Sequence, residues 1–501
     1  MPEKPNFAPH FLLLLPMSLP DLSDTIAALA TPPGVGAIAV LRLSGPRALI
    51  IADAVFKGKR LENQPSHTAH FGRIEDEQGN ALDEVLVTLF RAPKSYTGEE
   101  LVEISVHGSA YIQQEVLQLL LRRGARLAEP GEFTLRAFLN GKMDLSQAEA
   151  VADLIASQSE AAHGVALKQL RGGFKNEIAH LREELIHFAS LVELELDFSE
   201  EDVEFADRTQ LKTLVQKIRR YIGQLLHSFV LGNALRTGVA TVIAGRPNAG
   251  KSTLLNALLN EERAIVSEIA GTTRDTIEEV LNIRGVQFRL IDTAGIREAQ
   301  DQIEVLGVQR TMEKVREASV LCYVWDVTGG MTLAELFADL RSLDAEGVKL
   351  LVICNKMDRN PLFQAGWLTD PVQPGIHPYL LGDPPADLSA FAGFLSPEQI
   401  VPISAKHQQN IPYLKEKLFE TVAGGDINVD DTIVTNARHY DALRRADEAL
   451  ADVLTSLDTG ITGDFVAMDI RRSLNFLGEI TGEIGVEDLL GNIFGKFCIG
   501  K

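Results

Sequence analysis

The stretch GRPNAGKST, Gly245–Thr253, decides the fold of the central part of this 501-residue chain. It matches the pattern G-x-x-x-x-G-K-[S/T], and it lies between the strand-like VATVIA and the helix-like TLLNALLN. Backbone N–H groups at the start of a helix bind phosphate oxygens. We therefore expect Lys251 to neutralise the β- and γ-phosphates of a nucleotide and Ser252 to bind Mg²⁺. The pattern predicts a P-loop domain.

Two later motifs predict the base of that nucleotide. NKMD, Asn355–Asp358, follows the strand-like KLLVIC, and SAK, Ser404–Lys406, follows the strand-like IVPI. The carboxylate of Asp358 can accept hydrogen bonds from the N1–H and the 2-amino group of guanine. Adenine lacks both donors in that position, so the motifs favour a guanine nucleotide.

Two further motifs lie between the P-loop and NKMD. In GTTRD, Gly271–Asp275, Thr273 can close on Mg²⁺ and the γ-phosphate. In DTAG, Asp292–Gly295, the aspartate can hold Mg²⁺ through water and the glycine N–H can meet the γ-phosphate. Five motifs in this order indicate a GTPase. Ras-like proteins carry a water-orienting glutamine just after DTAG, but Ile296 stands there and cannot do this, so other groups must support hydrolysis.

The composition restricts the functional class. The formal net charge of −21 argues against tight autonomous binding of nucleic acid through a broad basic surface. Cys322, Cys354 and Cys498 are far apart and form no C-x-x-C pair. Neither a disulfide framework nor a zinc site is predicted, and a cytoplasmic location fits best.

The apolar segment FLLLLPM, 11–17, is too short for a membrane span and is interrupted by Pro16. We interpret residues 1–23 as an N-terminal extension rather than a signal peptide. No other run approaches the ~20 apolar residues of a transmembrane helix, so no membrane association is expected.

The sequence texture predicts a multidomain α+β and α/β architecture. Residues 24–141 alternate short strands with helices, whereas 142–235 and 426–501 have long helical periodicity. Residues 236–425 alternate apolar strands with helices, as in a parallel sheet covered on both faces. The simplest arrangement is a discontinuous helical domain with a Ras-like P-loop G domain inserted into it. Within the G domain, residues 360–399 form a long insertion that we expect to be a tolerated surface loop.

From about Asp24 to its last residue the chain resembles the tRNA-modification GTPase family called MnmE or TrmE. Besides the G motifs, the resemblance rests on the stretches TIAALATPPGVGAIAVLRLSG, KSYTGEELVEISVHG, EPGEFTLRAFLNGKMDLSQAEAVADLI and FCIGK. It implies a GTPase activated by K⁺-dependent dimerisation of its G domains, and it places the water-orienting glutamate at Glu304. The implied K⁺ ligands are Asn248, Ser267, Ile269 and Thr272, and the Mg²⁺ ligands are Ser252 and Thr273.

The residues expected to surround GTP follow from the motifs and from the resemblance together. They are Asn248, Ala249, Gly250, Lys251, Ser252, Thr253, Ser267, Glu268, Ile269, Ala270, Gly271, Thr272, Thr273, Asp292, Thr293, Ala294, Gly295, Asn355, Lys356, Asp358, Ser404, Ala405 and Lys406. Among them, Lys251 is the expected catalytic cation.

The resemblance also implies a function for the N-terminal domain. It is similar to folate-binding aminomethyltransferase domains, forms a constitutive homodimer, and binds 5-formyltetrahydrofolate or a related tetrahydrofolate. The implied folate contacts are Arg42, Glu103, Lys142 and Lys501. A glutamate suits the amidine-like edge of a pterin, and Arg or Lys suits the folate carboxylates.

The implied overall reaction adds an aminomethyl or carboxymethylaminomethyl group to C5 of the wobble uridine of certain tRNAs. It takes place in a heterotetramer with an FAD-dependent partner, MnmG (GidA). The ending FCIGK, 497–501, makes a poor lipidation box because Gly500 is not aliphatic and no polybasic run precedes it. The resemblance instead joins Cys498 to the folate region, as a nucleophile toward uridine or as a thiol that only lines the site.

Three other functions share parts of this pattern. A ribosome-assembly GTPase would have the same G motifs but usually carries a basic RNA-binding domain, and no such segment is present. A signalling GTPase anchored through its terminal cysteine would need a better lipidation box. A folate enzyme in which GTP hydrolysis is only regulatory is the third. The nucleosides of tRNA from cells that lack the protein would distinguish it from a tRNA-modifying GTPase.

Overall fold

The computed structural model divides the chain into two compact units. One comprises Met1–Ile155, Leu167–Gln216 and Arg445–Lys501, and the other comprises Ala156–Ala166 and Lys217–Arg444. The residues that the structure describes are 23–197, 208–259, 278–292, 314–316, 318–372, 376, 378–381, 388–423, 432–459, 463–483, 493–495 and 497–500. The finer domain boundaries predicted from the sequence remain predictions.

The first unit contains a seven-stranded sheet with the strand order β3-β4-β5-β6-β2-β1-β7. Its strands are β1 Ile26–Leu29, β2 Ile38–Ser44, β3 Phe56–Lys57, β4 Thr68–Glu75, β5 Ala81–Phe90, β6 Leu101–His107 and β7 Arg126–Leu127. Along β2 the buried Leu41 and Leu43 alternate with Arg42 because successive side chains of a strand face opposite ways. Helices α1, Ala48–Val55, and α2, Ala110–Arg122, supply apolar residues to the same core.

Helix α3, Glu132–Leu139, follows this sheet and carries an ionic network into the interior. Arg136 is fully buried, and its guanidinium donates to the Glu132 carboxylate at 3.0 Å and to Asp24. Arg126 donates to the same Glu132 carboxylate, and a buried charge is tolerated only when it is paired in this way. The network fixes α3, and hence Phe133, against strand β1, with which Phe133 shares an apolar cluster.

Long helices account for most of the remaining chain of the first unit, as the periodicity predicts. They are α4 Leu145–Ala156, α5 Glu160–Leu170, α6 Gly173–Asp197, α7 Arg208–Thr237, α13 Ala437–Thr459 and α14 Gly463–Thr481, of which α4, α5, α7 and α13 cross into the second unit. Helix α6 packs along α14. No helix in the described part of the chain is both long and apolar enough to cross a membrane.

The second unit is built on a six-stranded sheet with the order β13-β12-β11-β8-β10-β9. Its strands are β8 Val239–Ala244, β9 Glu278–Ile283, β10 Val286–Asp292, β11 Val320–Asp326, β12 Lys349–Asn355 and β13 Ile400–Pro402. All neighbours pair in parallel except β9, which is antiparallel to β10. The predicted parallel sheet is confirmed, and the carboxyl ends of β8, β12 and β13 lie at one edge, where open α/β sheets bind ligands.

The helices of this unit include α8 Lys251–Leu259, α9 Leu333–Ser342, α10 Gly366–Thr369, α11 Pro378–Leu381 and α12 Ile411–Ala423. Cys322 in β11 and Cys354 in β12 are both buried, as expected for packing residues. Burial raises the pKa of Cys322 to about 12, which keeps this thiol protonated and unreactive.

The insertion between the two guanine motifs differs from the expectation of a simple surface loop. Trp367 and Leu368 of α10, with Leu388 and Leu395, are buried in the apolar cluster that also contains Phe337 of α9. Phe391 stacks on Phe337 with ring centroids 4.6 Å apart. The insertion therefore extends the core of the G domain, because its apolar residues cover a helix face that would otherwise meet water.

Candidate functional site

The P-loop connects the end of β8 to the start of α8, and its glycines are sterically required. A Cβ on Gly245 would lie 2.2 Å from the carbonyl oxygen of Val324, and a Cβ on Gly250 would lie 2.3 Å from Nδ2 of Asn355. Both glycines also have positive φ, at 141° and 100°. Asn248 has φ of 62°, which asparagine tolerates better than most residues. The loop therefore approaches its neighbours closely, at positions where only glycine fits.

Lys251 is the first residue of α8, and its ammonium group is held within the P-loop. Nζ donates to the carbonyl oxygens of Gly245 at 2.7 Å and Arg246 at 3.1 Å. Ser252 follows it on the same helix turn and is partly exposed, as a ligand of an incoming ion must be. Thr253 is exposed beside it. The nucleotide and Mg²⁺ contacts of Lys251, Ser252 and Thr253 remain predictions.

The first guanine motif is tied to the P-loop by two side chains. Buried Asn355 donates from Nδ2 to the carbonyl of Ala249 at 2.8 Å, and its Oδ1 accepts from the N–H of Ala405 at 3.0 Å. Lys356 donates from Nζ to the carbonyl of Asn248 at 2.9 Å. Asn355 thus connects the P-loop, its own NKMD motif and the SAK motif, because β8, β12 and β13 end at the same sheet edge.

Asp358 is prepared to accept hydrogen bonds from a base. The hydroxyl of Ser404 donates to its Oδ1 at 2.6 Å, and His407 Nε2 lies 3.6 Å from Oδ2. An aspartate carboxylate is ionised at neutral pH and acts only as an acceptor, and the hydrogen bond from Ser404 lowers the pKa of Asp358 further. Lys406, in the same loop, is exposed.

Two residues near this edge were not predicted from the sequence. Asp326, the last residue of β11, pairs with Lys356 at 2.5 Å; burial works against its ionisation, but Lys356 lowers its pKa overall. Arg246, inside the P-loop, pairs with Asp339 of α9 at 2.9 Å. The sequence did contain a signal for Asp326, namely an acidic residue at the end of an apolar strand. The carboxyl ends of parallel strands lie at the ligand edge of the sheet.

Part of the predicted site lies outside the described residues. These members are Ser267, Glu268, Ile269, Ala270, Gly271, Thr272, Thr273, Thr293, Ala294, Gly295, Glu304 and Lys501. The backbone of Asp292 ends β10 beside Ile243 of β8, at the predicted edge. These assignments remain predictions.

In the first unit, two of the predicted folate residues are in direct contact. Arg42 and Glu103 are opposite each other on β2 and β6, and Arg42 donates to Oε1 of Glu103 from Nε at 3.0 Å and from NH2 at 2.7 Å. The rings of Tyr96 and Phe133 flank the guanidinium, at 5.6 and 5.7 Å from their centroids. A carboxylate beside aromatic rings suits a planar heteroaromatic ligand with N–H donors, so these residues fit a pterin.

The C-terminal segment reaches this pair. Ile499 forms an antiparallel bridge with Pro130, and Arg42 donates to the carbonyl of Gly500 at 3.3 Å. A Cβ on Gly500 would lie 2.2 Å from the carbonyl oxygen of Leu29, so only glycine permits this approach. Cys498 is exposed, and its carbonyl accepts from the N–H of Gly131 at 3.4 Å. The terminal motif is therefore packed against the β1–β2 region.

Lys142, the remaining described folate candidate, follows α3. Its Nζ donates to the carbonyl of Pro93 at 2.9 Å, and its side-chain carbons lie 3.4 Å from where a Cβ on Gly98 would be. Lys142 therefore covers the loop that also carries Tyr96.

Similar proteins identify the family of this chain. The family model described as GTP-binding protein TrmE N-terminus matches residues 25–142, and the model described as MnmE helical domain matches residues 145–498. A tRNA modification GTPase MnmE of Cytophaga hutchinsonii is 56% identical over 479 residues, which are 96% of this chain and 98% of that protein. The chain belongs to the MnmE family. A second MnmE, of Christiangramia forsetii, is 54% identical over 96% of this chain and 100% of its own length.

Membership in the MnmE family confirms the fold class predicted from the sequence. The chain combines a TrmE N-terminal domain, an MnmE helical domain and a GTP-binding G domain. Among solved structures, Era from Aquifex aeolicus has 27% sequence identity and covers 42% of this chain and 66% of its own, with a TM-score of 0.25. That score is too low to support a conclusion, so the G-domain assignment rests on the parallel sheet, its motifs and the MnmE relatives.

Proposed function

We propose that this chain hydrolyses GTP and couples the hydrolysis to modification of C5 of the wobble uridine of certain tRNAs. The observation that carries the proposal is the joining of the P-loop to both guanine motifs by Asn355, within a chain of the MnmE family. The added group would be aminomethyl or carboxymethylaminomethyl, with a tetrahydrofolate as the one-carbon donor. The chain would act in the cytoplasm.

Residues of the G domain would contribute to hydrolysis in different ways. Lys251 neutralises charge on the β- and γ-phosphates, and the P-loop N–H groups hold the phosphate oxygens. Asp358 selects guanine, while Asn355 fixes the spacing between the base loop and the phosphate loop. Glu304 orients the attacking water in place of the missing glutamine, and Ser252 and Thr273 would hold Mg²⁺. When bound, K⁺ would supply positive charge between the β- and γ-phosphates.

Asn248, Ser267, Ile269 and Thr272 would hold that K⁺. Asn248 is suited to this because Lys356 and its positive φ fix its backbone, which leaves the side chain to serve a ligand. K⁺ should bring the G domains of two chains together, so hydrolysis depends on a homodimer.

We expect the GTPase rate to be about a hundredfold higher in K⁺ than in Na⁺, the size of one lost electrostatic stabiliser. Asn248→Gly should remove this difference while preserving the positive φ, since glycine adopts it without strain. The measurement is the initial rate of GTP hydrolysis in KCl and in NaCl, each at about 100 mM so that the ionic strengths match. Asn256→Ala, at an exposed position of α8, is the matched control and should keep the K⁺ response. Equal rates of the unaltered protein in the two salts would contradict the ion assignment.

The folate-binding role belongs to Arg42, Glu103, Lys142 and Lys501, with Cys498 in the wall of the same site. Glu103 receives both bonds from Arg42 on Oε1, so Oε2 is the oxygen that would meet the pterin N–H donors. Arg42 would hold Glu103 beside the pterin, and the lysines suit the carboxylates of the glutamate tail. The folate, when bound, would supply the one-carbon unit.

The partners of the reaction would be tRNA and the FAD-dependent MnmG (GidA), in a heterotetramer with two copies of this chain. The net charge of −21 is consistent with a partner that provides most of the cationic contacts to tRNA.

Mass spectrometry of tRNA nucleosides tests the proposal in the cell of origin. Cells that lack the protein should lose the C5-modified wobble nucleosides, and complementation with the unaltered gene should restore them. Complementation with Lys251→Ala should not, because hydrolysis drives the modification. Unchanged wobble uridines in the deleted strain would refute the tRNA part of the proposal, whatever the GTPase activity.

A further inference from the structure

Arg246 is the one basic side chain of the P-loop sequence besides Lys251, and it pairs with acidic residues of helix α9. Its Nε and NH2 donate to the two oxygens of Asp339 at 2.9 and 3.3 Å, and its NH1 donates to Oε1 of Glu335 at 3.1 Å. We propose that Arg246 is a positioning residue that holds Lys251 in place for GTP hydrolysis. The inference rests on the proposed GTPase function of this P-loop.

The two acidic partners of Arg246 are themselves held in place. Tyr323, whose side chain is buried in β11, donates from its hydroxyl to Oδ2 of Asp339 at 2.6 Å. Glu335 belongs to a capping box, in which its Oε2 accepts from the backbone N–H of Thr332 at 2.8 Å. Both carboxylates therefore have their orientation set before Arg246 binds them, which lowers the entropy cost of fixing the guanidinium.

Helix α9 is a rigid support for these carboxylates. Leu333, Leu336, Phe337 and Leu340 are all buried on its inner face, and Asp339 and Glu335 stand at its partly exposed side. Positions four apart lie on one face of a helix, so both acids reach the same guanidinium. A site is precise when it is built on packed helices and strands rather than on a loop alone.

The backbone of Arg246 is what connects this support to Lys251. Nζ of Lys251 donates to the carbonyl oxygens of Arg246 and of the preceding Gly245. Gly245 is fixed from the other side by its close approach to Val324 of β11. The side chain of Arg246 thus anchors the peptide groups that hold the lysine ammonium, and releasing it would let these carbonyls move.

Because these ion pairs are partly exposed, a positioning role of Arg246 can be distinguished from a role in the stability of the fold. The side chains of Arg246, Asp339 and Glu335 are 40%, 30% and 47% exposed. Ion pairs this close to solvent contribute little to folding, so their removal should hardly change the melting temperature. A displacement of about 1 Å at a catalytic group, in contrast, reduces turnover about a hundredfold.

The test compares Arg246→Met with the unaltered full-length protein in K⁺ at saturating GTP. We expect kcat to fall about ten- to a hundredfold, the Kd for GDP to change less than about threefold, and the melting temperature to shift by less than about 3 °C. Arg246→Lys should recover only part of kcat, because an ammonium group cannot make the bidentate pair with Asp339. Asp339→Asn should lower kcat as well, and adding it to Arg246→Met should cost little more.

Arg341→Met is the matched control on the same helix. The guanidinium of Arg341 packs on the ring of Phe391, 4.4 Å from its centroid, and makes its hydrogen bond to Ala390 of the insertion. Its loss should leave kcat unchanged. An unchanged kcat in Arg246→Met, or equal losses of kcat in Arg246→Met and Arg341→Met, would overturn the positioning role. Lys251→Ala, assayed in parallel, distinguishes the two proposals, since full activity of that variant would refute GTP hydrolysis at this loop.

Discussion

Lys251→Ala is expected to reduce kcat for GTP hydrolysis about a thousandfold, which corresponds to about 4 kcal/mol of transition-state stabilisation. The ammonium group is the cation that the carbonyls of Gly245 and Arg246 hold within the P-loop. Negative charge shifts toward the β–γ bridge as the γ-phosphate leaves, so a fixed cation is worth more in the transition state than in the ground state. Single-turnover hydrolysis at saturating GTP measures this loss without interference from product release.

Lys349→Ala is the control for loss of a lysine from the same sheet. Lys349 is the first residue of β12, and its Nζ donates to the carbonyl of Thr421 at 2.8 Å. It lies at the amino end of a seven-residue parallel strand, roughly 20 Å from the ligand edge. Its replacement should leave kcat within about twofold of the unaltered rate, since Coulomb effects are screened over that distance. A Lys251→Ala variant as active as this control would mean that the P-loop is not the hydrolytic site.

The G domain could be predicted from the sequence because its chemistry is local. The stretch 245–253 contains the glycines, the lysine and the helix start, and it directly follows strand β8, which ends at Ala244. The guanine motifs were also predictable, since parallel strands deliver their carboxyl ends to one edge. The joining of Asn355 to both Ala249 and Ala405 follows from that rule.

Long-range pairing is what the sequence did not reveal. Arg246 and Asp339 are 93 residues apart, and nothing in either segment specifies which loop side chain meets which helix face. Arg42 and Glu103, 61 residues apart, meet only because β2 and β6 pair in one particular register. A shift of one residue would put either side chain on the opposite face of the sheet. The family resemblance, rather than the strand pattern, singled out this pair.

The insertion was misjudged for a related reason. Its proline and glycine content is typical of a loop, but Trp367, Leu368 and Phe391 are large apolar residues without helical or strand periodicity. Such residues become interpretable only when the exposed apolar face of a neighbouring element is known. Here that element is α9, and Phe337 supplies the surface on which Phe391 stacks.

Asp358→Asn should reverse the base preference of the G domain. Guanine presents two N–H donors, at N1 and at the 2-amino group, to a carboxylate whose Oδ1 also accepts from the hydroxyl of Ser404. An asparagine amide offers one acceptor and one donor group, so one guanine contact becomes a donor facing a donor. A hydrogen bond to a charged group is worth about 1.5–3 kcal/mol, so the loss of one such bond should lower GTP affinity about ten- to a hundredfold. Xanthine carries an acceptor at position 2, which matches the amide, and XTP should bind better than GTP.

Two measurements test this reversal. The first is displacement of a fluorescent guanine nucleotide from the unaltered protein by GTP, XTP and ATP. The second is direct titration of Asp358→Asn with labelled XDP and GDP. Asp370→Asn is the matched control, since Asp370 is exposed in the insertion and its Oδ1 accepts only a long 3.4 Å bond from the N–H of Val372. That variant should keep its preference for GTP. Hydrolysis of XTP by Asp358→Asn near the original GTP rate would show that the base contact supplies binding and leaves the phosphate chemistry of Lys251 intact. Weakened binding of both nucleotides alike would instead mean that Asp358 stabilises the loop of Ser404 without contacting the base.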